Sequence, residues 1–106
     1  MKSKVIFGLA FAISVVSVPA RAQDAQKTFL DKCANCHGAD AGGQTVKGKK
    51  LKLKDLRSAD VQKRTDAEWT EVIMKGKGDM QGYSKELNDT QLKDMILYLR
   101  SLKTSK

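Results

Sequence analysis

Proline, histidine and tryptophan each occur only once in these 106 residues, and cysteine only twice. The aromatic side chains are one Trp, two Tyr and three Phe. Each scarcity closes off a class of function. A single histidine (His37) and a single cysteine pair leave no acid–base or nucleophilic constellation from which to build a substrate site, so the chain is not expected to be an enzyme. So few aromatics, with no nucleic-acid-binding motif, argue against binding nucleic acid even though the chain is basic, with net charge +8. No stretch alternates apolar and polar residues as a half-buried strand would, and no internal repeat or low-complexity tract is present, so the expected fold class is all-α.

The chain has one long apolar run, Val5 to Val18, 14 residues broken only by Ser14, Ser17 and small side chains. Lys2 and Lys4 precede it, Pro19 ends it, and Ala20-Arg21-Ala22 follows as an A-x-A pattern. The run is shorter than the roughly 20 residues that span a bilayer. The pattern is that of a secretory signal over residues 1–22, cleaved after Ala22. Removing 22 of 106 residues leaves a mature chain of 84, residues 23–106, enough for one domain. It would keep 17 Lys and Arg (20 less Lys2, Lys4 and Arg21) against 12 acids, a net charge of +5. The expected location is extracytoplasmic, in the periplasm, with no stable membrane insertion once the signal is removed. A domain this small buries a modest core and gains from a cofactor to fold around.

Both cysteines and the histidine fall within five residues, Cys33-Ala34-Asn35-Cys36-His37. This C-x-x-C-H run is the pattern of c-type haem attachment. Thiols three residues apart lie on neighbouring points of a helical turn, so each can add to one of two vinyl groups on the same porphyrin edge. The histidine that follows is then carried under the ring, where an imidazole nitrogen can bind the iron. Three other readings compete. A thioredoxin-type dithiol needs a βαβ context, and nothing before Cys33 reads as a strand. Structural zinc usually takes four protein ligands. A plain disulfide leaves the histidine without a role.

Asp24 is a candidate N-cap, and Ala25, Phe29, Cys33 and Cys36 recur at helical spacing, predicting a helix over about residues 24–34 that ends before Gly38. Residues 38–64 read as a flexible loop marked by Gly38, Gly42, Gly43 and Gly48. Within it, Lys47, Lys49, Lys50, Lys52, Lys54 and Arg57 stand against a single acid, Asp55, while Leu51, Leu53 and Leu56 offer apolar anchors. Such a basic stretch is either a solvated loop or a positive face that steers an acidic redox partner to the molecule. Thr65 and Glu68 form a capping box that opens a helix to about Lys75, with Trp69, Val72 and Ile73 as its apolar stripe and Gly76 closing it. Asn88 and Gln91 form a second box, and Leu87 and Leu92 a hydrophobic staple. Leu92, Met95, Ile96, Leu99 and Leu102 continue the stripe of this last helix.

Between these helices lies Gly76-Lys77-Gly78-Asp79-Met80-Gln81-Gly82-Tyr83, a glycine-rich loop with Met80 at its centre. A thioether is a soft iron ligand, and opposite a histidine it raises the reduction potential. Met80 is therefore the candidate distal ligand, with an ordinary loop methionine as the bland alternative. Met74 lies off the stripe of its helix, and Met95 on the stripe of the last one reads as core.

On these residues the sequence resembles the class I monohaem cytochromes c, closest to small soluble bacterial members and to the haem domains of cbb3-type oxidase subunits. The resemblance covers the whole mature chain: helix into C-x-x-C-H, loop, middle helix, methionine loop, C-terminal helix. It implies a cytochrome c fold, three main helices plus loops wrapped around one covalently attached haem c. It also implies thioethers at Cys33 and Cys36, axial ligation by His37 and Met80, and crossing of the first and last helices at Phe29 and Tyr98. Two departures stand out. Many members have a proline after the C-x-x-C-H loop whose carbonyl orients the histidine, and a second proline after the ligand methionine. Here the mature chain has no proline, and Gln81 follows Met80. Either some carbonyl near Lys50 to Leu53 orients the ring, or its support is weaker. The function implied is single-electron transfer between redox protein partners, as a monomer or in transient complexes. The alternatives are a haem enzyme or small-ligand sensor with a labile sixth position, and a haem subunit of a larger oxidoreductase or oxidase.

Overall fold

The computed structural model describes residues 20–104 together with Gly8. The predicted signal, residues 1–22, lies outside the described residues apart from Gly8 and residues 20–22. The first helix, α1, runs Ala20–Lys32 and passes through Asp24, which is not its cap. Ala20-Arg21-Ala22-Gln23 are strong helix formers, so nothing at Asp24 needs to start the helix. At Cys33 the chain steps out for one residue and re-enters a single helical turn, α2, Ala34–His37, which Gly38 ends at φ +84°.

The segment read as irregular contains two short helices, α3 Val46–Lys50 and α4 Ala59–Gln62. Each starts on a hydroxyl: Thr45 accepts from the Gly48 N–H at 2.7 Å, and Ser58 accepts from Val61 at 3.4 Å. Leu51, Leu53 and Leu56 are half-buried, as expected of anchors, and Leu56 packs against the main core. Helix α5 runs Asp66–Lys75, and Thr65 accepts from the Glu68 N–H at 3.1 Å. The Glu68 carboxylate takes the Thr65 hydroxyl at 3.3 Å, so the reciprocal half of the predicted box is replaced. The methionine loop is a small hairpin, β1 Gly76–Lys77 against β2 Met80–Gln81, antiparallel with Lys77 opposite Met80. Gly78 takes φ +58° at the first of the two turn residues, where a tight hairpin connection favours glycine. Helix α6, Asp89–Ser101, carries the complete Asn88–Gln91 box.

Helix α1 packs on α6, with the Phe29 and Tyr98 rings 5.9 Å apart at 55°. Around that crossing Phe29, Ala41, Val61, Trp69, Leu92, Met95, Ile96 and Leu99 form the buried cluster. Met95 is core as expected, and Met74 is half-buried against the same cluster. The Arg100 guanidinium lies 3.9 Å from the Trp69 ring centroid. It also donates to the Gln62 and Arg64 carbonyls and to Asp66, tying α6 to the α4–α5 corner. The mostly helical architecture is the all-α fold expected, with the hairpin its only described sheet. Among the described residues, no helix is long and apolar enough to cross a membrane.

Candidate functional site

The Cys33–His37 run is one local unit. Cys33 precedes α2, Cys36 and His37 lie within it, and the Cys33 carbonyl accepts from the N–H groups of Cys36 at 3.2 Å and His37 at 2.9 Å. The helical turn and the residue before it thus carry both cysteines and the histidine on one short stretch of backbone. Both thiols are free and half-buried, so the disulfide reading is not realised. Burial pushes the Cys33 thiol up to about 11, which keeps it protonated at neutral pH. Among the described residues no group of three or more His, Cys, Asp and Glu gathers as a metal site, and this leaves structural zinc unsupported.

Burial lowers the pKa of the His37 imidazole, favouring the neutral form that binds metals. Its Nδ1 is buried with no hydrogen-bond partner among the described residues. No carbonyl from Lys50 to Leu53 reaches that nitrogen, so of the two alternatives the ring has the weaker support. Lys52 takes φ +56° and the Leu53 N–H bonds back to the Gly48 carbonyl at 2.9 Å, turning that strip of backbone over α3. The Leu53 carbonyl instead lies against Gly43, 3.1 Å from where a Cβ would stand. His37 is fixed through its backbone: its N–H is held by Cys33, and its carbonyl accepts from Gly43 at 2.7 Å.

Two residues behind the run have roles that sequence reasoning did not assign. The Thr45 hydroxyl donates to the Cys36 carbonyl at 2.6 Å while capping α3. Gly48, buried inside α3, lets that helix sit directly on the turn, since a Cβ there would meet the Cys36 carbonyl at 2.7 Å. An N-cap signal at Thr45 was available in Thr45-Val46-Lys47-Gly48, but nothing in it points to Cys36.

Met80 is half-buried on β2, a separate element, and no described hydrogen bond joins it to His37. The connection to the cysteines runs through Tyr83, whose buried phenol donates to the Lys32 carbonyl at 3.1 Å, one residue before Cys33. Burial raises the Tyr83 pKa, so the hydroxyl stays a donor. Of the basic stretch, Lys54 pairs with Asp60 at 3.0 Å and Arg57 with Asp55 at 2.9 Å and Asp40 at 3.5 Å. Lys47, Lys49, Lys50 and Lys52 form no ion pair among the described residues. Val46, the first residue of α3, is 90% exposed.

The donor set fits a covalent haem: two free thiols, followed by an imidazole whose Nδ1 has no hydrogen-bond partner among the described residues. Three comparisons bear on the same residues. The family model described as "Cytochrome C oxidase, cbb3-type, subunit III" matches residues 20–99. A cbb3-type cytochrome c oxidase subunit, FixPc, of Rhizobium leguminosarum bv. viciae is 33% identical over 88 residues. That match takes in 81% of this chain but 29% of the relative, so the chain spans under a third of that protein's length. Among solved structures, the KustC0563 c-type cytochrome superposes with a TM-score of 0.66 at 26% identity, covering 76% of this chain and 98% of that one.

Proposed function

Since this chain belongs to the cbb3-type cytochrome c oxidase subunit III family of c-type cytochromes, we propose that it is an exported single-electron carrier. One haem c would be held by thioethers at Cys33 and Cys36, with His37 and Met80 as axial ligands. The observation that carries this reading is the half-buried His37 imidazole, its Nδ1 without a hydrogen-bond partner among the described residues, within five residues of two free thiols. When bound, the haem supplies one-electron iron chemistry whose potential the axial pair sets. The protein's part is to place and shield. The α2 turn would orient the thiols and imidazole, Thr45 and Gly48 brace that turn from behind, and the hairpin would supply the Met80 thioether. The unpaired lysines of α3 steer an acidic redox partner toward the face next to the attachment turn, raising the encounter rate more than the affinity.

A second reading is favoured by the relative named an oxidase subunit: a haem subunit of a larger oxidoreductase. The two part on whether the protein purifies alone or with companions. The ligand assignment is tested by spectra of the oxidised and reduced protein, with and without carbon monoxide. A ferric sulfur-to-iron charge-transfer band that vanishes in Met80→Ala, with a ferrous form that takes up carbon monoxide poorly, supports a closed His/Met centre. Rapid carbon monoxide binding by the unaltered protein brings forward the haem enzyme or sensor with an open sixth position. Absence of covalent haem refutes the proposal altogether.

A further inference from the structure

Helix α1 ends at Lys32, and a helix leaves its last four carbonyls without helical partners. The Phe29 carbonyl takes the Cys33 N–H at 2.8 Å, while the Cys36 N–H turns to the Cys33 carbonyl. The Lys32 carbonyl is met by the Tyr83 hydroxyl at 3.1 Å, from 51 residues away. Beside it the Lys32 ammonium reaches the Glu86 carboxylate at 3.2 Å. Tyr83 is well placed to transmit this tie. Its N–H is bonded to the Ile73 carbonyl at 2.8 Å and its own carbonyl accepts from Glu86 and Leu87, both at 2.9 Å. Its backbone is thereby joined to the end of α5 and to the turn leading into α6.

Among the described residues, the Tyr83 and Glu86 bonds to Lys32 are the only hydrogen bonds linking residues 76–87 to residues 20–38. We propose that Tyr83 is the positioning residue of the distal side: its hydroxyl, seconded by the Lys32–Glu86 pair, clasps the Met80 hairpin to the haem-attachment turn. This rests on the reading of Met80 as the sixth ligand. The clasp supplies a constraint that the proline-free stretch after Met80 does not. The two links are unequal. The phenol is buried, whereas Lys32 and Glu86 are 38% and 45% exposed and their attraction is screened.

The test is carbon monoxide binding to the ferrous, haem-loaded chain in five forms: unaltered, Met80→Ala, Tyr83→Phe, Glu86→Gln, and Tyr83→Phe combined with Met80→Ala. Only molecules with an open sixth position bind, so apparent affinity follows the open fraction. Losing one neutral hydrogen bond of about 1 kcal/mol raises that fraction, and hence the affinity, about fivefold. Glu86→Gln changes it less than twofold. In the Met80→Ala background, where nothing remains to open, Tyr83→Phe has no further effect. If the unaltered protein already binds as Met80→Ala does, the ligand reading fails and the clasp with it. If Met80→Ala opens the site but Tyr83→Phe behaves as the unaltered protein, the clasp is refuted and the ligand reading stands. A Tyr83→Phe effect that persists undiminished without Met80 is a global loosening and equally overturns the clasp.

Discussion

Gly48→Ala sets two effects of opposite sign against each other, and the structure decides between them. Gly48 is an interior residue of α3, and in an exposed helix the change to alanine stabilises by about 1 kcal/mol. Here the added Cβ would stand 2.7 Å from the Cys36 carbonyl oxygen, 2.9 Å from the Thr45 hydroxyl, and closer still to the Gly43 carbonyl. None of these gives way easily. The Cys36 carbonyl holds the Thr45 hydroxyl, and Gly43 is tied to the His37 carbonyl. Helix α3 must therefore withdraw from α2, at an overpacking cost of about 3 kcal/mol and the loss of a hydrogen bond of about 1 kcal/mol. After the helix-propensity gain the net destabilisation is on the order of 2 to 3 kcal/mol, enough to lower the melting temperature by on the order of 10 °C. The assay is urea unfolding of the haem-loaded protein, with Lys49→Ala as control on an exposed position of the same helix, expected within about 0.5 kcal/mol of the unaltered chain. A Gly48→Ala protein as stable as the unaltered one would refute the close seating of α3 on the attachment turn.

Arg100→Lys keeps the charge but loses the fork that serves two carbonyls and Asp66 while stacking on Trp69. It should cost roughly 2 kcal/mol in urea unfolding followed by Trp69 fluorescence, and an unchanged midpoint would contradict the corner's role. Asp55 has its pKa held below the ordinary 3.8, first by the Arg57 hydrogen bond. A depressed carboxyl stabilises the fold above its unfolded pKa and loses that contribution as pH falls through the folded value. Asp55→Asn should therefore flatten the stability profile below about pH 4, and an acid limb of unaltered slope would count against the pair. The proposed signal over residues 1–22 predicts a mature protein that begins at Gln23, checked by intact mass; material that retains Met1 would rule out cleavage after Ala22.

What could be read from the residues, and what could not, follows physical length scales. Helix α6 was legible because its cap, staple and stripe are local and run through several turns. The Cys33–His37 run was legible because its chemistry is contained within one turn. Helices α3 and α4, at five and four residues, hold hardly more than one helical period, so no stripe can form, and Gly48 argued against a helix. The hairpin has two residues per strand, too few for alternation. Thr45 and Tyr83 escaped notice because each acts on a backbone carbonyl 9 or 51 residues away, which no side-chain pattern marks. The lack of proline was plain, but that no carbonyl among the described residues takes its place at His37 Nδ1 is set by the path of the folded backbone, which no residue pattern marks.

The two proposed ligands are held by unlike means, and they should fail in order. His37 lies on a helical turn whose backbone bonds on both sides are local, to Cys33 at 2.9 Å and Gly43 at 2.7 Å, so dislodging it requires unwinding α2. Met80 lies on a two-residue strand whose turn glycine, Gly78, has nothing within 4 Å of a Cβ position, and its tie to α1 passes through one phenol and one exposed ion pair. Local opening draws on the segments with fewest buried contacts and most exposed bonds. In a urea titration of the ferric protein, the charge-transfer band should accordingly fade at lower denaturant than the helical circular dichroism, and Tyr83→Phe should widen the gap. Coincident transitions in both proteins would mean that the hairpin and the helices melt as one unit, and the separation of proximal from distal support would have to be abandoned.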